Sequence, residues 1–116
     1  MLDARGFVFA TLLACQLKVT VVMVRKPGKL PGATINATLT KEYAKDTIEM
    51  RTDALLPNQR VIIIDDLIAT GGTFKAAIKL VRQAHAAVLE VVSIVELTAF
   101  KNSRDLDVNV YSVIQK

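Results

Sequence analysis

Apolar positions along the chain change their rhythm from segment to segment, and each rhythm predicts an element. Phe7, Ala10, Leu13, Ala14 and Leu17 recur at the spacing of one helix face, which predicts a buried helix with Cys15 as a small core residue. Val19-Thr-Val-Val-Met-Val24 is continuous, short and β-branched, as a strand covered on both faces would be. Arg25 to Gly32 is rich in turn formers and positive charge. From there to Thr47 no period is sustained, so a long loop is expected. Ile48-Glu-Met50 predicts a short strand and Pro57-Asn58 a turn. Arg60-Val-Ile-Ile-Ile-Asp65 is the clearest strand, an apolar run leading straight into two carboxylates. A helix follows Ala69-Thr-Gly-Gly-Thr73, with Thr73 as its N-cap and Phe74, Ala77, Ile78 and Val81 on one face. Val88 to Leu97 and Asn109 to Ile114 predict two further strands. This alternation of strand, helix and strand predicts an α/β fold with a largely parallel sheet, in a single domain over residues 1–116.

Composition narrows the class. With 52% hydrophobic and 22% charged residues in 116, the chain is too apolar to be disordered and long enough to bury a core. A single cysteine cannot close an intrachain disulfide, and with a single histidine it cannot build a tetrahedral zinc site. A reducing, cytoplasmic setting is therefore expected. The apolar run from Gly6 to Cys15 resembles part of a secretory signal, but Asp3 cancels Arg5 where such a signal is positive. It also falls short of the ~20 residues of a membrane span, so no membrane partner is expected. The net charge of +4 favours anionic ligands. That charge is spread along the chain, and neither a helix-turn-helix nor an aromatic RNA-binding signature accompanies it, so nucleic acid is not the expected partner.

The candidate chemistry sits where the central strand ends. In a parallel sheet the loops at the carboxyl ends of the strands form the ligand crevice. Asp65 and Asp66 lie at that end, where adjacent carboxylates accept hydrogen bonds from sugar hydroxyls or hold hydrated Mg²⁺. Ala69-Thr-Gly-Gly-Thr73 then turns into a helix start. Its glycines let backbone N–H groups converge, its hydroxyls add donors, and the helix dipole favours a phosphate dianion. A diol binder followed by a monophosphate cradle fits a ribose 5-phosphate. Neither the Walker A pattern nor the dinucleotide fingerprint is present. His85, near the end of the helix, reads as structural.

This segment resembles the phosphoribosyl-pyrophosphate (PRPP) motif of the type I phosphoribosyltransferases, in particular their adenine-using branch. Leu2-Asp-Ala-Arg-Gly-Phe7 is similar to that family's pyrophosphate loop. Arg25-Lys-Pro-Gly-Lys-Leu-Pro-Gly32, Glu42-Tyr43 with Asp46, and Val92-Ser-Ile-Val-Glu-Leu97 also correspond. The resemblance implies a cytoplasmic homodimeric enzyme of purine salvage that converts adenine and PRPP to AMP and pyrophosphate with Mg²⁺. It assigns Asp65 and Asp66 to the ribose hydroxyls, with no direct metal ligand and only a water-mediated influence on Mg²⁺. Ala69, Thr70, Gly71, Gly72 and Thr73 fall on the 5′-phosphate. Arg5, Arg25, Lys26 and Lys29 fall on the pyrophosphate, and Glu42 with Tyr43 on the proton shift at adenine. The chain departs from the family pattern at Ala10, Thr11 and Ala44, where Gly, Pro and Gly are common. Family members also carry an N-terminal adenine hood and a strand that would lie between Val19–Val24 and Val61–Ile64. An N-terminally shortened core lacking both is therefore expected. A non-catalytic PRPP-sensing regulator would keep the same core.

Overall fold

The computed structural model describes residues 5–40 and 45–116. In chain order it comprises helix α1 (Gly6–Leu17), strands β1 (Thr34–Thr40), β2 (Lys45–Arg51) and β3 (Arg60–Ile68), helix α2 (Gly72–Gln83), strand β4 (Ala87–Glu96), a 3-10 turn at Thr98–Ser103, and strand β5 (Asn109–Gln115). β3, β4 and β5 form a parallel sheet in that order, with Asp65 opposite Ser93 and Ile68 opposite Glu96. β1 and β2 form a separate antiparallel pair. The predicted α/β class with a parallel sheet is thus the observed one.

The core lies where α2 meets both sheets. Phe74, Ala77, Ile78 and Val81, the predicted face, are all buried, joined by Leu80 and Ala76. They pack with Ile63, Ile68 and Val91 of the parallel sheet and with Ala37, Leu39, Ile48 and Met50 of the hairpin. At about 1.5–3 kcal/mol for each large apolar side chain buried, this cluster is the main source of stability. The helix is capped differently from expectation. Gly71, in the left-handed region at φ 87°, stands at its N-cap with no side-chain cap bond, and Thr73 lies inside the first turn. Ala84 ends the helix, and His85 follows in the left-handed region at φ 61° with its carbonyl accepting the Asn58 N–H at 2.8 Å. That bond, with Asn58 itself at φ 66°, builds the expected turn after Pro57.

Three expectations need correction. The long loop expected up to Thr47 contains the β1–β2 hairpin. Thr34, Asn36 and Thr38 alternate with Ile35, Ala37 and Leu39, which places one set against α2. The predicted short strand at Ile48–Met50 is the middle of the longer β2. Second, Val19–Val24 forms none of the strands; only its last residue, Val24, and the following Arg25 are isolated bridge residues, Arg25 opposite Glu49. Its β propensity is high, but a strand needs a neighbour to pair with, and here an open groove of about 670 Å³ runs between α1, residues 18–22 and the N-terminal half of β3. Third, Cys15 is exposed. Only Ala10 and Ala14 of the predicted α1 face are fully covered, while Leu13 and Leu17 border the groove and are exposed.

Candidate functional site

β3 does not stop at its carboxylates. It continues through Asp65 and Asp66 to Ile68, so both acids lie within the strand, Asp65 opposite Ser93 of β4. α1 approaches this point closely through its first residue. A Cβ on Gly6 would stand 3.0 Å from Asp65 Oδ1 and 3.2 Å from the Ile64 carbonyl oxygen, so any larger residue would force these neighbours to give way. The Asp66 N–H donates to Asp65 Oδ1 at 2.8 Å. Arg5 reaches across to Asp66, Nε to Oδ2 at 2.8 Å, with the arginine side chain 80% and the carboxylate 22% exposed. The predicted pyrophosphate-loop arginine and the predicted ribose-binding pair therefore meet in space.

The two carboxylates are not equivalent. Burial under α1 pushes the Asp65 carboxyl up to about 6. The N–H bond from Asp66 opposes that rise, the Asp66 side chain adds to it, and Arg5 lowers it. Such a group is poised for a ligand that supplies donors, because hydroxyls bound to it replace part of the lost hydration.

Just beyond, Ala69–Gly72 turns the chain into α2. The positive φ of Gly71 permits the turn, and the Gly71 carbonyl accepts the Lys75 N–H at 2.9 Å to start the helix. A Cβ on Gly71 would meet Leu106 Cδ1 at 3.3 Å, so the turn is packed from below as well. With no acidic residue in its first turn and no side-chain cap, the positive end of α2 is left for an external anion.

The basic turn is placed less tightly. The Arg25 guanidinium lies 5.7 Å from the centre of the Phe7 ring, which brings this turn beside the start of α1. Lys26 and Lys29 are exposed on it. Sequence reasoning missed what holds the turn. Glu49, buried in β2, accepts the Gly28 N–H at 2.8 Å and the Thr34 hydroxyl at 3.3 Å, while its backbone pairs with Arg25. A charged residue inside an otherwise half-apolar strand was the available signal. Glu42 and Tyr43 lie outside the described residues. Among the described residues no group of three or more His, Cys, Asp or Glu could hold a metal ion, and no helix is long and apolar enough to cross a membrane.

An acidic pair on a parallel strand here runs straight into a glycine turn that no side chain caps. The phosphoribosyl transferase domain family matches residues 2–115, and the chain belongs to that family. Its relatives there are adenine phosphoribosyltransferases. The enzyme of Mus musculus is 52% identical over 105 residues, which is 90% of this chain and 58% of the relative. The crystal structure of the Thermoanaerobacter pseudethanolicus adenine phosphoribosyltransferase superposes with a TM-score of 0.94 at 42% identity, covering 99% of this chain and 67% of that one. That of Saccharomyces cerevisiae, complexed with an imino-altritol 1,6-bisphosphate and adenine, gives 0.92 at 44% identity, covering 97% and 64%. The chain thus spans 58% of the length of the mouse relative.

Proposed function

We propose that this chain carries the ribose-phosphate half of an adenine phosphoribosyltransferase site, serving the conversion of adenine and PRPP to AMP and pyrophosphate in purine salvage. The observation that carries the proposal is the placement of Asp65 and Asp66 directly before the Ala69–Thr73 turn at the end of a parallel strand. In this reading Asp65 and Asp66 accept hydrogen bonds from the ribose hydroxyls and orient the sugar. Ala69 to Thr73 hold the 5′-phosphate through backbone N–H groups and hydroxyls. Arg5, with Arg25, Lys26 and Lys29, neutralises the pyrophosphate as the C1′–O bond breaks and charge gathers on the departing oxygen. Glu42, with Tyr43 beside it, handles the proton at the adenine ring. Mg²⁺ suits the hard oxygen donors present, Asp65 and Asp66 acting on it through water, and when bound it would offset the charge of the pyrophosphate. The Arg5–Asp66 ion pair then exchanges partners when ligand arrives, the arginine turning toward the leaving group and the carboxylate toward ribose.

By the same resemblance the working unit is a cytoplasmic homodimer. The exposed Val8 and Leu12 on α1 offer apolar surface for such an association. The adenine-holding hood belongs to the part of the relatives that this chain does not span. Positioning of the base accounts for much of the advantage of an oriented two-substrate reaction, so residues 1–116 alone are expected to bind the ribose phosphate yet turn over adenine poorly. Incubating them with labelled adenine, PRPP and Mg²⁺ tests this. AMP formation far below that of a full-length relative is expected, and equal turnover by a folded monomer contradicts it.

A further inference from the structure

Outside the residues assigned to substrate, Arg104 is the most heavily bonded buried cation among the described residues. It follows the 3-10 turn at Thr98–Ser103, with its side chain 6% exposed and that of its partner Glu96 5%. Its planar fork reaches three acceptors at once: Nε donates to the Ala69 carbonyl at 2.7 Å, Nη1 to Glu96 Oε2 at 2.6 Å and Nη2 to the Leu97 carbonyl at 2.9 Å. Arg104 therefore ties the last residues of β4 to the first residue of the phosphate turn. Its Cγ also stands 3.6 Å from where a Cβ of Gly71 would be. Beyond it, Asp105 and Asp107 pair with Lys75 and Arg82 at 2.9 and 3.0 Å, which anchors the segment to α2.

A buried ion pair is a poor device for stability alone, since apolar residues of similar volume often serve as well or better. What this one supplies is direction. A trans peptide is planar, so the Ala69 carbonyl and the Thr70 N–H point opposite ways. With the carbonyl drawn inward by Arg104, the Thr70 N–H must face away from the core, toward the mouth of the turn. The arginine charge is met by Glu96, so Arg104 has no need of a ligand anion and acts through the backbone.

We propose that Arg104, set by Glu96, is a positioning residue that presets the Ala69–Gly72 turn for phosphate. This deepens the phosphate reading of that turn and rests on it. The test titrates ribose 5-phosphate calorimetrically into wild type, R104K and the double variant E96L/R104M, alongside ¹H–¹⁵N spectra of the ligand-free proteins. In the double variant, affinity should fall about ten- to a hundredfold, the scale of a small misplacement in a site, while thermal unfolding stays close to wild type. R104K keeps the charge but cannot span three acceptors, and should show a smaller loss. The Thr70, Gly71 and Gly72 amide signals should move in both variants, while those of the β1–β2 hairpin stay in place. Unchanged affinity and unchanged turn signals in E96L/R104M overturn the proposal. If that variant does not fold, R104K decides by the same two readings. If wild type itself does not bind ribose 5-phosphate, the phosphate reading fails, and the turn signals of R104K alone then judge the tether: moved signals support it and unmoved ones overturn it.

Discussion

The two sides of β3 are built to different standards. Toward β4 a ladder runs from Arg60 to Ile68 with one register shift between Val61 and Ile62, Ile63 is 3% exposed under α2, and the strand end is tied to Arg104. Toward α1 and residues 18–22 there is a groove instead of a ladder, and Ile62, one residue along, is 43% exposed. A parallel sheet is ordinarily covered on both faces, yet Leu67, Leu89, Tyr111 and Val113 are also exposed. The contrast teaches which part of the site the chain makes for itself. The proposed ribose and phosphate groups would fall on the finished side, and Arg5 meets Asp66 from the unfinished one.

The comparison can be broken most forcefully by substituting neighbours in β3. Ile63→Ala should cost about 2–5 kcal/mol through the cavity it leaves in the core. Ile62→Thr, on the groove side, should stay within about 0.5 kcal/mol, as surface changes do. Urea unfolding of the two variants measures both, and similar losses would mean that the groove is closed in solution.

A smaller effect is expected at the one point where α1 is packed hard against the site. Gly6→Ala puts a methyl 3.0 Å from Asp65 Oδ1 and 3.2 Å from the Ile64 carbonyl. The carboxylate can rotate away but the carbonyl cannot, so the expected cost is roughly 1–3 kcal/mol from overpacking, with weaker ribose 5-phosphate binding. Unchanged unfolding and binding in G6A would show that α1 sits further from β3 than described.

The smallest effect sharpens the comparison through pH. Asp65 ordinarily titrates at 3.8 and is raised to about 6 in the fold. The folded state therefore holds its proton more tightly than the unfolded one. The stability this provides is fully present below 3.8 and is lost as pH rises through about 6. Ligand-free D65N has no such loss. Its melting temperature should match wild type near pH 4 and exceed it by a few degrees at pH 7.5. A gap independent of pH would remove the burial argument for Asp65.

What was legible in the sequence followed from continuous apolar runs and one strong helix period. β3, β4 and α2 bury apolar residues against the core and β5 half-buries Val110 beside them, and their patterns say so. The β1–β2 hairpin did not stand out, although Thr34 to Leu39 alternates cleanly, because its inward positions include a small alanine and its outward ones are threonines and an asparagine rather than charges. Val19–Val24 shows the opposite failure. Its composition suits a strand, but a ladder is a property of two strands, and the sequence pattern of one cannot supply the other. Cys15 is similar: helical spacing placed it on α1, but exposure depends on what covers that face. At the site, Asp65, Asp66 and the glycine turn were legible because they are contiguous. Glu96, Arg104 and Ala69 meet only through the fold, and no spacing rule links those positions.

The central claim is that the carboxyl end of β3 with its following turn binds ribose 5-phosphate. Calorimetric titration of PRPP–Mg²⁺ and of ribose 5-phosphate into wild type and the D65N/D66N double variant tests it most directly. Two charged hydrogen-bond acceptors at about 1.5–3 kcal/mol each imply a loss of roughly a hundredfold or more. The double variant should remain folded, because removing a half-buried like-charged pair relieves as much as it costs. Wild-type binding abolished or strongly weakened in a folded variant is the predicted result; identical affinity in the two proteins would contradict the account.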